Sequence, residues 1–255
     1  MSGLAAIIPA YNEAATIRDI VQRTLQQLPQ VIVVDDGSID GTGQLLAGLP
    51  VTLLRNERNA GKAASLVRAI DLALEQDAEA IITLDGDGQH LPEDIPRLLA
   101  AYEGDRDAIV VGSRLHDRAN IPGDRYFANR FANFWIAWAA GQPIEDSQSG
   151  FRVYSAAILK SALPRCRFAA SFVFESEILI EAGRRDVRII AVPIAAVYEA
   201  RGRRSHFRPV LDIALIVRMV AWKLLSRGLF LAGLVKSLRR PRSRAPVRQR
   251  HLHEG

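Results

Sequence analysis

Short apolar runs rich in β-branched residues alternate with helical patterns through residues 4–111, and this alternation constrains the fold more than any other property of the chain. Leu4–Ile8, Val31–Val34, Val51–Leu54, Ala80–Leu84 and Ala108–Val111 read as short buried strands. Between them the spacing predicts helices over 13–27, 40–48, 60–77 and 93–102, with Asp40 and Asn59 as N-caps. Strict strand–helix alternation produces an α/β fold, a mainly parallel sheet with helices on both faces. In open sheets of this kind ligands bind beyond the carboxyl ends of the strands, so the loops that follow the strands matter most.

After residue 113 the pattern is less regular. A helix is expected over Arg125–Ala140, a turn-rich segment over Gly141–Gly150, helices near 155–162 and 174–184, and a strand near 187–192. No internal repeat is visible. Residues 239–255 are rich in Arg and Pro with almost no apolar content and read as a disordered tail. With 49% hydrophobic and 24% charged residues, the 255-residue chain has enough apolar content for one large domain, or a domain with an appendage.

Charge is distributed unevenly. Residues 1–200 carry 19 Lys and Arg against 26 Asp and Glu, whereas residues 201–255 carry 14 against 2. A basic C-terminal fifth on an acidic body points to a polyanionic surface, either nucleic acid or anionic lipid headgroups. Cys166 is the single cysteine, which excludes an intramolecular disulfide and fits a reducing compartment. The start of the chain lacks a signal-peptide pattern, so the expected location is cytoplasmic.

Four strand-end loops carry polar residues suited to chemistry. In Ile8-Pro9-Ala10-Tyr11-Asn12-Glu13 a proline turn would present an aromatic ring and a carboxylate to a nucleobase. In the segment from Val34 to Thr42, Asp35 and Asp36 are suited to bond a base or ribose. Lys62 follows Arg58-Asn59-Ala60-Gly61 and opens a helix. In Leu84-Asp85-Gly86-Asp87-Gly88-Gln89-His90, the oxygens of Asp85, Asp87 and Gln89 are hard ligands for Mg²⁺ or Mn²⁺. Such ions usually keep positions for water and phosphate, so the run is suited to a metal-bound diphosphate. Each loop alone reads equally as turn, cap or solvated charge; four in order at successive strand ends do not.

Together with Gly112-Ser113-Arg114 and Asp146-Ser147-Gln148-Ser149-Gly150-Phe151-Arg152, these loops resemble the family 2 inverting glycosyltransferases of GT-A fold. Within that family the resemblance is to the dolichol- and polyprenyl-phosphate sugar synthases, and it covers residues 4–212. It implies a GT-A domain over residues 1–206. It makes Pro9, Tyr11, Glu13, Asp36, Lys62 and Asp85 contacts of a GDP- or UDP-sugar donor, with Asp85, Asp87 and Gln89 around the metal and diphosphate. His90 is expected behind the metal ligands rather than among them, and Cys166 as a small packing residue.

On the acceptor side, guanidinium forks suit a phosphate, which makes Arg114, Arg125 and Arg201 candidates. The resemblance gives Arg114 and Arg125 the phosphate of a polyprenyl or dolichyl acceptor. An anionic phosphate nucleophile needs no general base, whereas a sugar or lipid hydroxyl does, and Asp146 holds the matching base position. His206 stands where the lipid-phosphate mannosyl branch carries Lys, so its role as a phosphate contact and the identity of the sugar both stay open.

Residues 207–236 read as an amphipathic segment on an anionic membrane surface, followed by the basic tail 237–255. On a helix over Pro209–Arg227, Asp212, Lys223, Ser226 and Arg227 fall in a sector of about 100° and leave the rest apolar apart from Arg218. The uninterrupted apolar stretches are too short to span a bilayer. A core or dimer helix is the alternative, and a membrane-protein partner is compatible with either. Phe131, Phe134, Trp135 and Trp138, at helical spacing, are expected to pack a core, with a region that flanks a lipid acceptor as the alternative; no function is assigned to them. A nucleic-acid-binding role for the basic C-terminus is a remote alternative, because no aromatic stacking set accompanies its arginines.

Overall fold

A computed structural model describes residues 3–116, 121, 123–166, 173–195 and 209–238. Arg201 and His206 lie outside the described residues, as does the tail; Arg125 lies in a described helix, but its side chain is not described. The strands are β1 (Leu4–Ala10), β2 (Val31–Asp35), β3 (Thr52–Arg55), β4 (Ala80–Thr83), β5 (Ala108–Ser113), β6 (Arg152–Ser155) and β7 (Arg188–Pro193). The helices are α1 (Ile17–Leu25), α2 (Lys62–Glu75), α3 (Ile95–Glu103), α4 (Gly123–Ala140), α5 (Ala156–Ala162), α6 (Val173–Gly183), α7 (Pro209–Leu225) and α8 (Leu231–Ser237).

One seven-stranded sheet runs in the order β3-β2-β1-β4-β6-β5-β7. All neighbouring pairs are parallel except those made by β6, which is antiparallel to both β4 and β5. Alternate residues of each strand feed two cores. Ile7, Ile32 and Val34 face α2, α4 and α6 on one side, and Ile8, Val31 and Val33 face α1 and α3 on the other. Strands β1, β2 and β4 are therefore apolar up to their last residues, as a sheet covered on both faces requires.

The elements differ from the sequence expectations at identifiable places. The helix expected over 40–48 reduces to one 3₁₀ turn, Gln44–Leu46, because Asp40 folds back on its own loop. Asp40 accepts from the N–H groups of Ala14 and Thr42 instead of capping a helix. Asn59 is not a cap either: Gly61, at φ +93°, precedes α2, and the Asp36 carboxylate receives the N–H groups of Ala60 and Gly61. Pro9 makes no turn; it continues β1, buried and paired in register with Val34. Strand β3 exists as expected but lies at the sheet edge, largely exposed. Strand β6 falls in a stretch where the sequence pattern gave no strand.

That last element positions the site. Because β6 runs opposite to its neighbours, its first residue, Arg152, pairs with Thr83 at the end of β4 and with Val111 near the end of β5. The segment 145–151 is thereby delivered to the same sheet edge as the loops that follow β1, β2, β4 and β5.

Candidate active site

The first two loops at this edge are locked to each other by the polar side chains of the sequence motifs. Asn12, at φ +56°, donates its N–H to Ser38 Oγ and accepts the N–H of Ile39 on Oδ1. The Glu13 N–H donates to Thr42 Oγ1 at 2.8 Å. Asp36, buried, accepts from Asn56 Nδ2 at 2.7 Å as well as from the start of α2. Gly37, at φ +73°, could not be replaced, since a Cβ would lie 2.5 Å from the Arg58 carbonyl carbon. Thr16 Oγ1 donates to the Gly86 carbonyl at 2.7 Å and so joins this pair of loops to the acidic one.

In the acidic loop Lys62 Nζ lies 2.5 Å from Asp85 Oδ1 and 3.0 Å from Glu175 Oε2. Three elements, α2, the loop after β4 and α6, meet at this ammonium. Burial opposes every charge there, but the Lys62 charge outweighs it at Asp85 and holds that carboxyl at about 2. For Lys62 itself burial is outweighed by Asp85 and Glu175, so its pKa is raised. Asp87 is moved the other way: burial first, and then the neighbouring charge of Asp85, push its carboxyl up. His90 is fully buried, accepts the Asp85 N–H on Nδ1 at 3.2 Å and is pushed down to about 4 by burial. It is a neutral ring behind the loop, packed 5.3 Å from the Phe151 ring.

The opposite wall is built from residues distant in sequence. The Arg114 N–H donates to Asp146 Oδ2 at 3.1 Å, and Arg114 Nε lies 3.6 Å from the same oxygen. Asn133 on α4 donates to the Glu145 carbonyl and accepts from the N–H and hydroxyl of Ser147. Arg152, fully buried, donates to the carbonyls of Ser147, Ser149 and Glu175. The two walls meet at Gly150: a Cβ there would lie 2.8 Å from Asp85 Oδ2 and Glu175 Oε1 and 2.9 Å from Lys62 Nζ. The Arg114 charge also favours the ionised forms of Asp85 and Asp87.

Of the residues singled out in the sequence, Tyr11, Glu13, Lys62, Asp85, Asp87, Gln89, Arg114 and Asp146 all lie on segments at this sheet edge. Gln89 bonds Asp87 Oδ1 through its backbone N–H at 3.0 Å. Pro9 and Asp36 are buried beneath the edge, where Asp36 shapes the loop with both of its oxygens. Among the described residues no three His, Cys, Asp or Glu side chains group as a metal site. Sequence reasoning missed Glu175, Asn133 and the role of Arg152. For Arg152 and Glu175 the one signal was an arginine and acidic residues inside otherwise apolar runs, 151–154 and 173–180; Asn133 had none.

Residues 5–163 match the sequence profile described as Glycosyl transferase family 2. The chain belongs to this family. As a family 2 glycosyltransferase it is 28% identical over 239 residues to UDP-N-acetylglucosamine--dolichyl-phosphate N-acetylglucosaminyltransferase of Methanococcus voltae, covering 86% of this chain and 95% of the relative. It is 30% identical over 199 residues to polyprenol monophosphomannose synthase of Mycolicibacterium smegmatis, covering 74% of this chain and 75% of that one. Among solved structures, glucosyl-3-phosphoglycerate synthase from Mycobacterium tuberculosis, in complex with Mn²⁺, UDP and glucosyl-3-phosphoglycerate, superposes with a TM-score of 0.64 at 22% identity. That superposition covers 88% of this chain and 79% of the other, and establishes that the family 2 glycosyltransferase has the GT-A fold.

Proposed function

We propose that the chain transfers a sugar from a GDP- or UDP-sugar to a polyprenyl or dolichyl phosphate at the cytoplasmic face of a membrane, inverting the anomeric carbon. One observation carries this reading: Arg114 is held on Asp146 near enough to Asp85 and Asp87 for its charge to favour their ionised forms, so a cation suited to phosphate lies beside the acidic loop. The names of the relatives, which act on dolichyl phosphate or make a polyprenol monophosphomannose, support it.

The Tyr11–Glu13 loop and the loop organised by Asp36 would hold the nucleotide. Asp85 and Asp87 fit a hard divalent ion: two carboxylates are crowded so that one resists ionisation, and the ion's remaining positions would fall to Gln89, water and diphosphate. Bound Mg²⁺ or Mn²⁺ would stabilise the charge on the departing nucleoside diphosphate. Lys62 adds a fixed positive charge, and Glu175 is placed to accept from a sugar hydroxyl. An acceptor phosphate oxygen, oriented by Arg114 with Arg125, Arg201 and His206 as further candidates, attacks the anomeric carbon. The bond to the diphosphate oxygen breaks with its electron pair, and no proton has to leave the nucleophile.

The second reading, transfer to a sugar or lipid hydroxyl with Asp146 as base, is less well served. Asp146 is buried and already accepts the N–H groups of Arg114 and Gln148, which suits a positioning carboxylate. The test is product analysis with UDP- and GDP-sugars, Mn²⁺ and a short-chain polyprenyl phosphate. A product with a sugar–phosphate bond is expected, and its formation should survive Asp146→Asn within about tenfold, since no base is removed. A product without that bond rejects the reading.

A further inference from the structure

We infer that the surface shared by α4, α7 and α8 is the membrane-docking face of this chain and that its occupant is an anionic lipid bilayer. A membrane is expected because the acceptor proposed above is a lipid, and the inference rests on that reading.

Exposed large apolar side chains concentrate here. Phe127 (68% exposed) and Phe131 stand one turn apart on α4, Trp222 (54%) and Leu225 (66%) on α7, and Leu231 and Val235 one turn apart on α8. Helix α4 packs against both α7 and α8. Trp138 Nε1 on α4 donates to the carbonyls of Leu229 and Phe230 just before α8, which pins the three helices into one face. A concentration of exposed apolar side chains of this kind marks an interaction site.

Helix α7 buries Ile216, Met219, Val220 and Leu224 in the core, yet it also buries a charge and leaves large apolar side chains outside. Lys223, only 5% exposed, points into the protein, where Nζ pairs with Glu177 at 2.8 Å and Glu181 at 2.7 Å on α6. Its neighbours Trp222 and Leu225 point outward. Exposing such apolar area is unfavourable in water, and that cost is removed when the outer medium is hydrocarbon. The polar sector read from the sequence is thus at Lys223 the inner face of the helix.

Charge selects the partner. Residues 214–238 contain no Asp or Glu, and Arg218, Arg227 and Lys236 are exposed among the apolar residues. Residues 201–255 carry 14 Lys and Arg against 2 acidic residues. Apolar side chains flanked by basic ones match the boundary between acyl chains and anionic headgroups. Among the described residues no helix is long and apolar enough to cross a membrane, so the face would lie on the bilayer. Docking would also set the acceptor wall, because α4 presents Phe127 and Phe131 outward while its Asn133 grips the Glu145–Ser147 backbone beside Asp146.

All three tryptophans, Trp135, Trp138 and Trp222, lie on α4 and α7, so the unlabelled full-length protein reports its own docking. Vesicles of phosphatidylcholine and phosphatidylglycerol at 3:1, some with brominated acyl chains, should sediment with the protein and quench its fluorescence; pure phosphatidylcholine should bind more weakly. The double variants Phe127→Ser/Phe131→Ser and Leu231→Ser/Val235→Ser should each lower binding ~10-fold or more. Both should keep activity on a water-soluble short-chain acceptor within about twofold, because none of the four residues lies in the site. Unquenched wild-type fluorescence overturns the inference without any variant. So do folded variants that bind like wild type, and so does a dimer in vesicle-free buffer that the same variants dissolve. The vesicles contain neither donor nor polyprenyl phosphate, so failure of the transfer reaction would leave the docking result legible.

Discussion

The two walls of the site are built in different ways. The donor wall comes from loops within residues 9–90, and its polar groups are matched by side chains and N–H groups of the next loop along the same sheet end: Asn12 with Ser38 and Ile39, Glu13 with Thr42, Asp36 with Ala60 and Gly61. The acceptor wall draws on residues 113–116, 145–152 and 173–181, held by buried charges and by helices whose outer sides are apolar. A donor wall of fixed hydrogen bonds provides electrostatic preorganisation for a leaving group. On the proposed reading, an acceptor wall carried on α4 would couple the chemistry to the surface that α4 rests on. On that reading the contrast divides the work: one wall would hold a soluble nucleotide and the other would meet a second phase.

The largest expected effect breaks the donor wall. Asp87→Ala should lower turnover about 10²- to 10³-fold with the thermal unfolding midpoint unchanged, which steady-state kinetics and circular dichroism would check. Unchanged turnover at saturating Mn²⁺ and Mg²⁺ would remove the acidic loop from the chemistry. On the other wall, Lys223→Met takes the ammonium from Glu177 and Glu181, of which Glu181 keeps Arg184 and Arg185, and should cost about 3 kcal/mol of stability in urea unfolding. A neutral outcome would mean that α7 is held by its apolar residues alone, and the contrast between the walls would weaken.

Glu175→Gln tests the point where the walls meet. It should lower kcat/KM about tenfold and alter the preference among donor sugars, with little change for the free nucleotide as inhibitor. Equal losses for every sugar would instead make Glu175 a counter-ion for Lys62. The smallest effect concerns Cys166, whose thiol is raised from 9.0 to about 12 by burial and by the nearby Glu177. A folded-state pKa above the unfolded one means that stability is intact below pH 9 and is lost as pH rises toward 12. Between pH 8 and 10 the wild type should lose about 1 kcal/mol more than Cys166→Ala, measured by urea unfolding at each pH.

Much of the donor wall was legible because its signals are local. An apolar run followed by Asp-Gly-Asp or Asp-Asp-Gly-Ser identifies both a strand and the polar residues at its end, and Lys62 opens α2 as its spacing predicts. Helix caps were less legible. Asp40 and Asn59 have the right chemistry for caps, but Asp36, distant by more than twenty residues, already satisfies the start of α2. Glu175 was hidden because an acidic residue in a helix reads as a solvated face, and only the all-round burial of α6 shows otherwise. The aromatics of α4 misled in the opposite direction: spacing marked Phe131 and Phe134 as core, yet both are exposed.

By itself the sequence determined the alternating sheet, the family and the residues of the acidic loop, because these depend on periodicity and on contacts within a loop. Tertiary structure alone decided three things. It reversed β6, so that Asp146 and Gly150 reach the edge where β4 and β5 end. It brought Glu175 onto Lys62, and it turned Lys223 inward while Val217, Trp222 and Leu225 of α7 stay exposed. Each joins segments far apart in the chain, and the free energy of such a contact depends on the burial and charge of its partner. No pattern within one segment records that.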